Sequence, residues 1–345
     1  MGYHVLTKIF TLTSLAFLFA LAVTPLLTKF LYKNKLGKQI RNDGSTPLFS
    51  KMHGQKAGTP TMGGILIWGT LVVAMAFFWL FDRVLHVSIF SGLDFYSRKE
   101  TLLPLGVLLG ASLVGAVDDW LDVKQRGHKG RGLRFRFKIV LYTIVAAIGA
   151  WWFYFKLGFS AVHIPFLGAV NLGLWFIPFF ILVVISTSFA VNETDGLDGL
   201  AGGSLMIAFF SFGLIAFLQG KYDLASFIGV IGGALLAFLW FNVHPARFFM
   251  GDTGSMGLGV LLAIVAFLTN SVLLLPLIGF VFVLEALSYL LQLFWKKVFR
   301  KKLLLSAPLH HHLEALGWPE TKVTMRLWII SAVMGILGVI VYFIG

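Results

Sequence analysis

Carboxylates are scarce in this sequence, and several of them stand where charge is costly. Asp118 and Asp119 are adjacent at the predicted end of an apolar segment, where two acids repel each other and lose hydration. A bound cation or a shared proton would relieve both effects, whereas a solvated helix end would need neither. Asp252 stands in a Gly-Asp-Thr-Gly stretch before another apolar segment. It could hold a metal ion that bridges to phosphate, or form an ordinary turn and cap.

The segment 192–199 carries three acids and no basic residue. Asp195 and Asp198 are three residues apart, which places them on one face if the turn is helical. Such a segment suits recognition of hydroxyl groups, amides or Mg²⁺. It also predicts an N-cap for the following helix, formed by Thr194 or Asp195.

Three consecutive histidines, His310, His311 and His312, follow a proline. Their spacing is not the i, i+4 pair of a helical zinc site. Histidine can exchange protons or bind phosphate near neutral pH, although an incidental run in a loop is the simpler alternative. The run therefore indicates acid–base chemistry or phosphate contact.

Two further patterns are less specific. The segment 56–64 is rich in glycine beside Lys56, but it lacks the Gly-Lys-Ser/Thr ending of a phosphate-binding P-loop. Glu285, Ser288 and Gln292 form a polar stripe at helical spacing within an apolar segment. Such a stripe faces a cavity or joins helices.

The composition excludes a soluble protein. Of 345 residues, 58% are hydrophobic and 12% charged, and the mean hydropathy is +0.87, whereas soluble domains carry about 25% charged residues. There is no cysteine, which excludes disulfides, thiol nucleophiles and thiolate metal sites. The net charge of +13 favours loops beside anionic lipid over nucleic acid binding.

Apolar segments of membrane-spanning length recur along the whole chain, because a bilayer core needs about 20 apolar residues per helix. They predict an all-α polytopic membrane protein, with 1–345 as a single domain. The first segment is too long for the apolar part of a cleavable signal, so we expect it to be retained. The ten predicted spans are 9–32, 61–82, 102–118, 137–156, 172–191, 199–218, 224–242, 254–270, 273–295 and 326–344.

Basic residues orient these spans. They concentrate in 33–60, 119–138 and 296–326, which include Lys38, Arg41, Lys51, Lys129 and Arg131, whereas the alternate loops are poor in them. The positive-inside rule places the odd-numbered loops in the cytoplasm and both termini outside. The polar motifs fall in or beside those loops, which predicts an active site on the cytoplasmic face.

Taken in order, these blocks resemble the phospho-N-acetylmuramoyl-pentapeptide transferase (MraY) family of the polyprenyl-phosphate N-acetylhexosamine-1-phosphate transferases. The resemblance rests on 56–64, Asp118-Asp119, 192–199, 242–255, the polar stripe and 307–318. It implies ten helices, Mg²⁺ and often a homodimer, in the bacterial cytoplasmic (inner) membrane. It also implies transfer of phospho-MurNAc-pentapeptide from its UDP-linked donor to undecaprenyl phosphate, giving lipid I and UMP. The sequence departs from the family pattern at Asp122, where Lys is usual, at Phe189 and at Glu193.

Charge crowds where two phosphates react, so we expect catalysis by positioning and neutralisation. Asp118 is the candidate base for direct attack by the lipid phosphate, and a covalent route through Asp118 or Asp119 is the alternative. Predicted metal ligands are Asp252, Asp118 and Asp119, and His311 joins these three as a predicted catalytic residue. The predicted substrate-binding residues are Lys56, Lys138, Asn192, Asp195, Asp198, Asn242, Phe249, His310 and His312.

Two other functions remain possible at this point. A sister enzyme would transfer GlcNAc-1-phosphate, although the triple-histidine and 56–64 blocks argue against it. A transporter or channel would carry polar residues at mid-membrane and often paired repeats. In this sequence most acids lie at the ends of spans, and Glu285 is the one clearly inside.

Overall fold

The computed structural model describes residues 2–37, 56, 58–90, 92–98, 100–128 and 132–345. Most of the first predicted basic loop, with Lys38, Arg41 and Lys51, lies outside these residues. The same holds for Lys129 and Arg131 of the second basic segment.

Long apolar helices form most of the described structure, because each satisfies its backbone hydrogen bonds internally. Two of them continue as π-helical turns, at Trp79–Val84 and Trp152–Lys156. The helices are α1 Gly2–Lys33, α2 Ile65–Phe78, α3 Leu102–Val123, α4 Phe135–Trp151, α5 Phe176–Thr194, α6 Leu200–Leu218, α7 Tyr222–Asn242, α8 Asp252–Leu268, α9 Leu275–Ile278, α10 Phe280–Phe299, α11 Leu309–Ala315 and α12 Glu320–Ile344.

The polytopic membrane fold is confirmed. Among the described residues, eight helices are long and apolar enough to cross a bilayer, and a ninth span results if Val272–Ile278 and Phe280–Phe299 are taken together. That pair is bent by 79°, and the sequence predicted a single span there, 273–295. The shorter apolar helix α8, of 17 residues, occupies the position of the remaining predicted span.

Helix boundaries differ from the prediction at the polar motifs. Helix α3 continues to Val123, so Asp118 and Asp119 lie about one turn inside it. The predicted cap of α6 is wrong: Gly199, with φ 77°, precedes the helix without a side-chain cap. Thr194 instead donates its hydroxyl hydrogen to Ala190 O, because α5 extends to Thr194.

A β-hairpin joins α4 to α5 and was not predicted. Ala161–Ile164 (β1) pairs antiparallel with Gly168–Asn171 (β2). The strands have four residues each, too few for alternation to stand out in an apolar sequence. The tight turn uses left-handed backbone at Phe166 and Gly168, with φ of 67° and 86°.

Helices α7 and α8 form the centre of the bundle, where small residues let backbones approach closely. Helix α8 packs against α3 and α5, and α7 packs against α1 and α6. A Cβ at Gly257 would lie 2.1 Å from Ser112 Oγ, and one at Gly233 would lie 2.2 Å from Thr13 O. A larger side chain at either position would force these helices apart.

The two ends of the bundle carry different features. Lys8 near the N-terminus donates to Asp223 Oδ1, at the start of α7, and Phe166 N donates to the C-terminal Gly345 O. Asn242, at the far end of α7, is about 30 Å away along the axis. Both termini and the hairpin therefore lie opposite the end that holds the polar motifs. Which end faces the cytoplasm stays a prediction from the basic residues.

Candidate active site

A cavity of about 140 Å³ lies where four of the polar segments meet at that end of the bundle. Five carboxylates reach it, together with one amide, one hydroxyl and one glycine backbone. The lining residues are Thr61, Asp118, Asp119, Asp122, Asn192, Asp195, Gly251 and Asp252. Since so many acids share so small a space, the cavity favours a cation.

Lys138 supplies one positive charge to this cluster. Its Nζ lies 2.7 Å from Asp118 Oδ2 and 2.5 Å from Asp252 Oδ2. The other oxygen of Asp118 accepts a hydrogen bond of 2.6 Å from Leu133 N. Helix α4, which carries Lys138, thereby links α3 to the start of α8.

The two adjacent acids have different partners. Both oxygens of Asp119 accept backbone hydrogen bonds at the start of α8, from Asp252 N and Thr253 N at 3.1 Å each. Asp119 therefore caps α8 from a neighbouring helix, and its charge lies at the positive end of the α8 dipole. Asp118 makes no such contact with α8 backbone among the described residues.

Asn192 and Asp195 connect the 192–199 segment to Asp252. Asn192 donates two hydrogen bonds of 2.8 Å, to Asp252 Oδ1 and to Ser255 Oγ. Asp195 Oδ2 accepts a hydrogen bond of 3.2 Å from Gly251 N. The carboxylate of Asp252 is therefore held from one side by Asn192 and from the other by Lys138.

The segment 56–64 pairs with the backbone before Asp252. Phe249 N donates to Pro60 O, Gly63 N to Phe249 O and Gly64 N to Met250 O. A Cβ at Gly64 would lie 2.2 Å from Gly254 Cα. Glycine is thus required for close approach of two backbone segments, which explains a glycine-rich stretch that lacks the P-loop ending.

A second network lies beside the cavity. Lys56 Nζ is 2.7 Å from Asp198 Oδ1 and 2.5 Å from Glu320 Oε1, and His244 Nδ1 is 2.9 Å from Asp198 Oδ2. The ring of Phe249 is half-buried, with its centroid 5.9 Å from Lys56 Nζ. Within the described part of the chain, Asp198, His244 and Glu320 form a group with ligand atoms close enough to hold a metal ion.

Asn242 is occupied by the protein itself. Its Oδ1 accepts from Gly199 N at 3.0 Å and its Nδ2 donates to Phe248 O at 2.8 Å, and the side chain is buried. Substrate contact by Asn242 stays a prediction. The contacts observed here hold the turn before α6 against the segment before Asp252.

The polar stripe of α10 holds the histidine segment. Ser288 Oγ accepts from Leu309 N, and Gln292 Oε1 accepts from Leu303 N and Leu304 N. Glu285 Oε2 lies 2.9 Å from His310 Nδ1. The stripe therefore joins α10 both to the start of α11 and to the loop before it.

Each histidine of the run has a different environment. His311 Nδ1 lies 2.8 Å from Glu314 Oε2, and His312 Nδ1 accepts a hydrogen bond from Leu305 N. His310 is fully buried, and its Nε2 has no hydrogen-bond partner among the described residues. A Cβ at Gly196 would lie 2.3 Å from that nitrogen, so the histidine segment borders the 192–199 segment.

Comparison with known proteins shows the family to which this chain belongs. Residues 101–270 match the model of glycosyl transferase family 4, and 56–67 match signature 1 of the phospho-N-acetylmuramoyl-pentapeptide-transferases. A protein of that name from Chloroflexus aggregans is 40% identical over 341 residues, covering 95% of this chain and 88% of the relative. This chain belongs to the phospho-N-acetylmuramoyl-pentapeptide-transferase family.

Other relatives of the same name align with this chain over similar lengths. One from Geobacillus sp. (strain WCH70) is 40% identical over 330 residues, 94% of this chain and 95% of the relative. One from Rubrobacter xylanophilus is 36% identical over 339 residues, 96% of each chain. The relatives therefore match this chain over nearly its whole length.

The structure shows the contacts of two positions where the sequence departs from the expected family pattern, Asp122 and Phe189. Asp122, where Lys is usual, lines the cavity, whereas the nearby Lys124 is exposed and donates to Asn34 O at 3.4 Å. Phe189 packs its ring 5.6 Å from that of Phe135. Lys124 is therefore not among the residues that line the cavity.

Sequence reasoning missed several residues around the site. His244 and Glu320 belong to the second network, and Thr61 and Gly251 line the cavity. Glu320 follows Trp318-Pro319 directly, just beyond the last block that carries the family resemblance. It lies in the basic segment 296–326, outside the predicted spans, and no recognisable motif surrounds it.

Proposed function

We propose that this transferase moves phospho-MurNAc-pentapeptide from UDP-MurNAc-pentapeptide to undecaprenyl phosphate, giving lipid I and UMP. This is the first membrane step of peptidoglycan synthesis. Family membership over nearly the whole chain supports the reaction. The observation that carries the proposal is a cavity at the end of a membrane bundle that is lined by Asp118 and Asp252, with Lys138 paired to both.

The position of the cavity suits both substrates. The donor is soluble and highly charged, whereas the acceptor carries a hydrocarbon tail that stays in the bilayer. Since the membrane surface is where the two meet, we place the cavity on the cytoplasmic side of the bacterial inner membrane. The basic segments next to the same motifs support this orientation. A homodimer is proposed on the family resemblance alone.

We propose Mg²⁺ as the cofactor of the cavity. Carboxylate oxygens are the ligands that Mg²⁺ prefers. The acids outnumber Lys138, the one ammonium that pairs with them among the described residues, which fits a divalent cation. Asp252 would hold it, with Asp118 or Asp119. When bound, the ion would neutralise charge on the diphosphate and on the departing UMP.

The protein's own groups supply positioning and proton transfer. An oxygen of the lipid phosphate bonds to the phosphorus of the sugar phosphate, and the bond from that phosphorus to the UMP oxygen breaks. Asp118 would take a residual proton from the attacking phosphate. Lys138 would offset negative charge between Asp118 and Asp252, and Asp119 would hold the start of α8. Direct attack needs no phospho-enzyme, because the lipid phosphate is already nucleophilic.

The remaining predicted residues fall into three groups around this centre. Asn192 and Asp195 adjoin Asp252, and we propose that they contact the donor beside the diphosphate. Lys56, Asp198 and Phe249 form the neighbouring surface, which we propose for the uridine. The histidine segment lies on the other side of the 192–199 segment. We propose that it contacts the diphosphate or the sugar through His310, His311 and His312.

The test of this proposal is UMP release by purified protein in detergent, with UDP-MurNAc-pentapeptide, undecaprenyl phosphate and Mg²⁺. Asp252→Asn should lower kcat by roughly 10²–10³-fold, because a charge that stabilises the transition state is lost. Asp223→Asn, which removes an acid at the opposite end of α7, is the matched control and should keep wild-type activity.

Three other outcomes would change the proposal. Activity with UDP-GlcNAc alone would place the chain among the sister enzymes. Full activity of Asp252→Asn would show that Asp252 is not needed for catalysis, and the proposed overall reaction would be unaffected. Substrate flux into liposomes without UMP release would indicate a transporter.

A further inference from the structure

Glu320 joins three segments that are far apart in sequence. It is the first residue of α12, and its side chain is 11% exposed. Its Oε1 lies 2.5 Å from Lys56 Nζ and accepts a hydrogen bond of 2.7 Å from Asp198 N. The start of the last helix therefore holds both the lysine of the 56–64 segment and the turn before α6.

This arrangement restricts the ammonium of Lys56. A lysine side chain has several rotatable bonds, and its ammonium carries three N–H groups. Two of them are directed to carboxylates, Asp198 and Glu320, and the third has no partner among the described residues. The same ammonium lies 5.9 Å from the centroid of the Phe249 ring. Lys56 thus presents a single fixed donor beside a half-buried aromatic ring.

We propose that Glu320 is a positioning residue for the donor nucleotide, and that it acts through Lys56 and the backbone of Asp198. This inference rests on the proposed function. Because Glu320 lies outside the carboxylate cavity and holds a surface next to it, its contribution belongs to donor binding. The acceptor lipid and the chemical step depend on other residues, chiefly Asp118, Lys138 and Asp252.

Glu320→Gln tests this directly, since glutamine keeps an oxygen that can accept from Asp198 N but removes the charge that fixes Lys56. We expect the KM for UDP-MurNAc-pentapeptide to rise roughly tenfold, the loss expected for one charge-assisted hydrogen bond. We expect kcat and the KM for undecaprenyl phosphate to stay within about twofold of wild type, since the lost interaction is not specific to the transition state. Thr321→Ala, at the next and exposed position, is the matched control.

A double-mutant cycle separates positioning from a general structural role. If Glu320 acts through Lys56, Glu320→Gln should add little to the donor KM of Lys56→Gln. Additive effects would overturn the inference, and so would an unchanged donor KM or a fall in kcat alone. If Glu320→Gln does not fold, Glu320→Asp must show the same split between donor KM and kcat. A wild-type protein without UMP release would instead refute the proposed function.

Discussion

Adjacent residues of one type can differ completely in their contacts. Asp118 and Asp119 follow each other in α3, yet their carboxylates point to different partners because successive helical positions are about 100° apart. Asp118 faces the Lys138 ammonium, and Asp119 faces backbone N–H groups of α8. Asp118 is therefore the better candidate for proton transfer, and Asp119 the better candidate for maintaining the site.

Amide variants of these two acids should behave differently. In Asp118→Asn the amide oxygen can still accept from Leu133 N, and Lys138 keeps its ion pair with Asp252. We therefore expect a Tm close to wild type and a kcat lowered by roughly 10²–10⁴-fold. Asp119→Asn would turn an NH₂ group toward a backbone N–H of α8. We expect a loss of about 1–3 kcal/mol in the free energy of unfolding. Thermal unfolding in detergent, measured beside UMP release, checks both, and equal Tm values would contradict the distinction.

At the scale of the elements, close backbone contact positions Asp252. The segment 60–64 pairs with 249–250, and Gly64 lies against Gly254 in the first turn of α8. The break between α9 and α10 has a similar local effect, since it redirects α10 so that its polar stripe meets the histidine segment. The site thus depends on helix ends more than on helix interiors.

Two glycines at the start of α2 provide a matched test. Gly64→Ala places a Cβ 2.2 Å from Gly254 Cα, and we expect roughly 1–3 kcal/mol of destabilisation from overpacking, together with reduced activity. A Cβ at Gly69 meets no other segment of the described chain within 4 Å. Gly69→Ala should therefore be neutral or stabilise by about 0.5–1 kcal/mol. Thermal unfolding of the two variants compares them, and similar Tm values would argue against the close packing.

At the scale of the whole molecule, the polar motifs occupy one end of the bundle and both termini the other. Ten spans predict this arrangement, because an even number returns the chain to its starting side. The contact between Phe166 N and Gly345 O places the hairpin at the terminal end. The orientation of the bundle in the membrane is predicted by the positive-inside rule, and it can be measured directly.

The absence of cysteine from the chain makes single-cysteine labelling simple. Leu167→Cys lies in the exposed hairpin turn and Leu316→Cys is exposed just after α11. In right-side-out vesicles, a membrane-impermeant maleimide should label position 167 and leave position 316 unlabelled until the membrane is opened. The reverse pattern would invert the orientation, and equal labelling of both positions would contradict a bundle with its two ends on opposite sides.

Properties carried by short stretches of chain could be predicted from the sequence. Apolar length predicted the spans because the thickness of a bilayer is fixed, and the order of the polar blocks indicated the family. The hairpin, the 79° bend and the cap of α6 escaped prediction. In each case a few residues with ordinary propensities are held by contacts elsewhere in the fold.

The identity of each residue's partner was decided by the tertiary structure. Nothing in the sequence near Lys56 indicates Glu320, 264 positions away, and nothing near Asp119 indicates the backbone of α8. Hydrogen bonds act over about 3 Å and depend on direction, so they follow from how helices pack rather than from the order of residues. Composition and spacing therefore indicated which side chains gather at the site, and packing determined which of them face the cavity and which hold it in place.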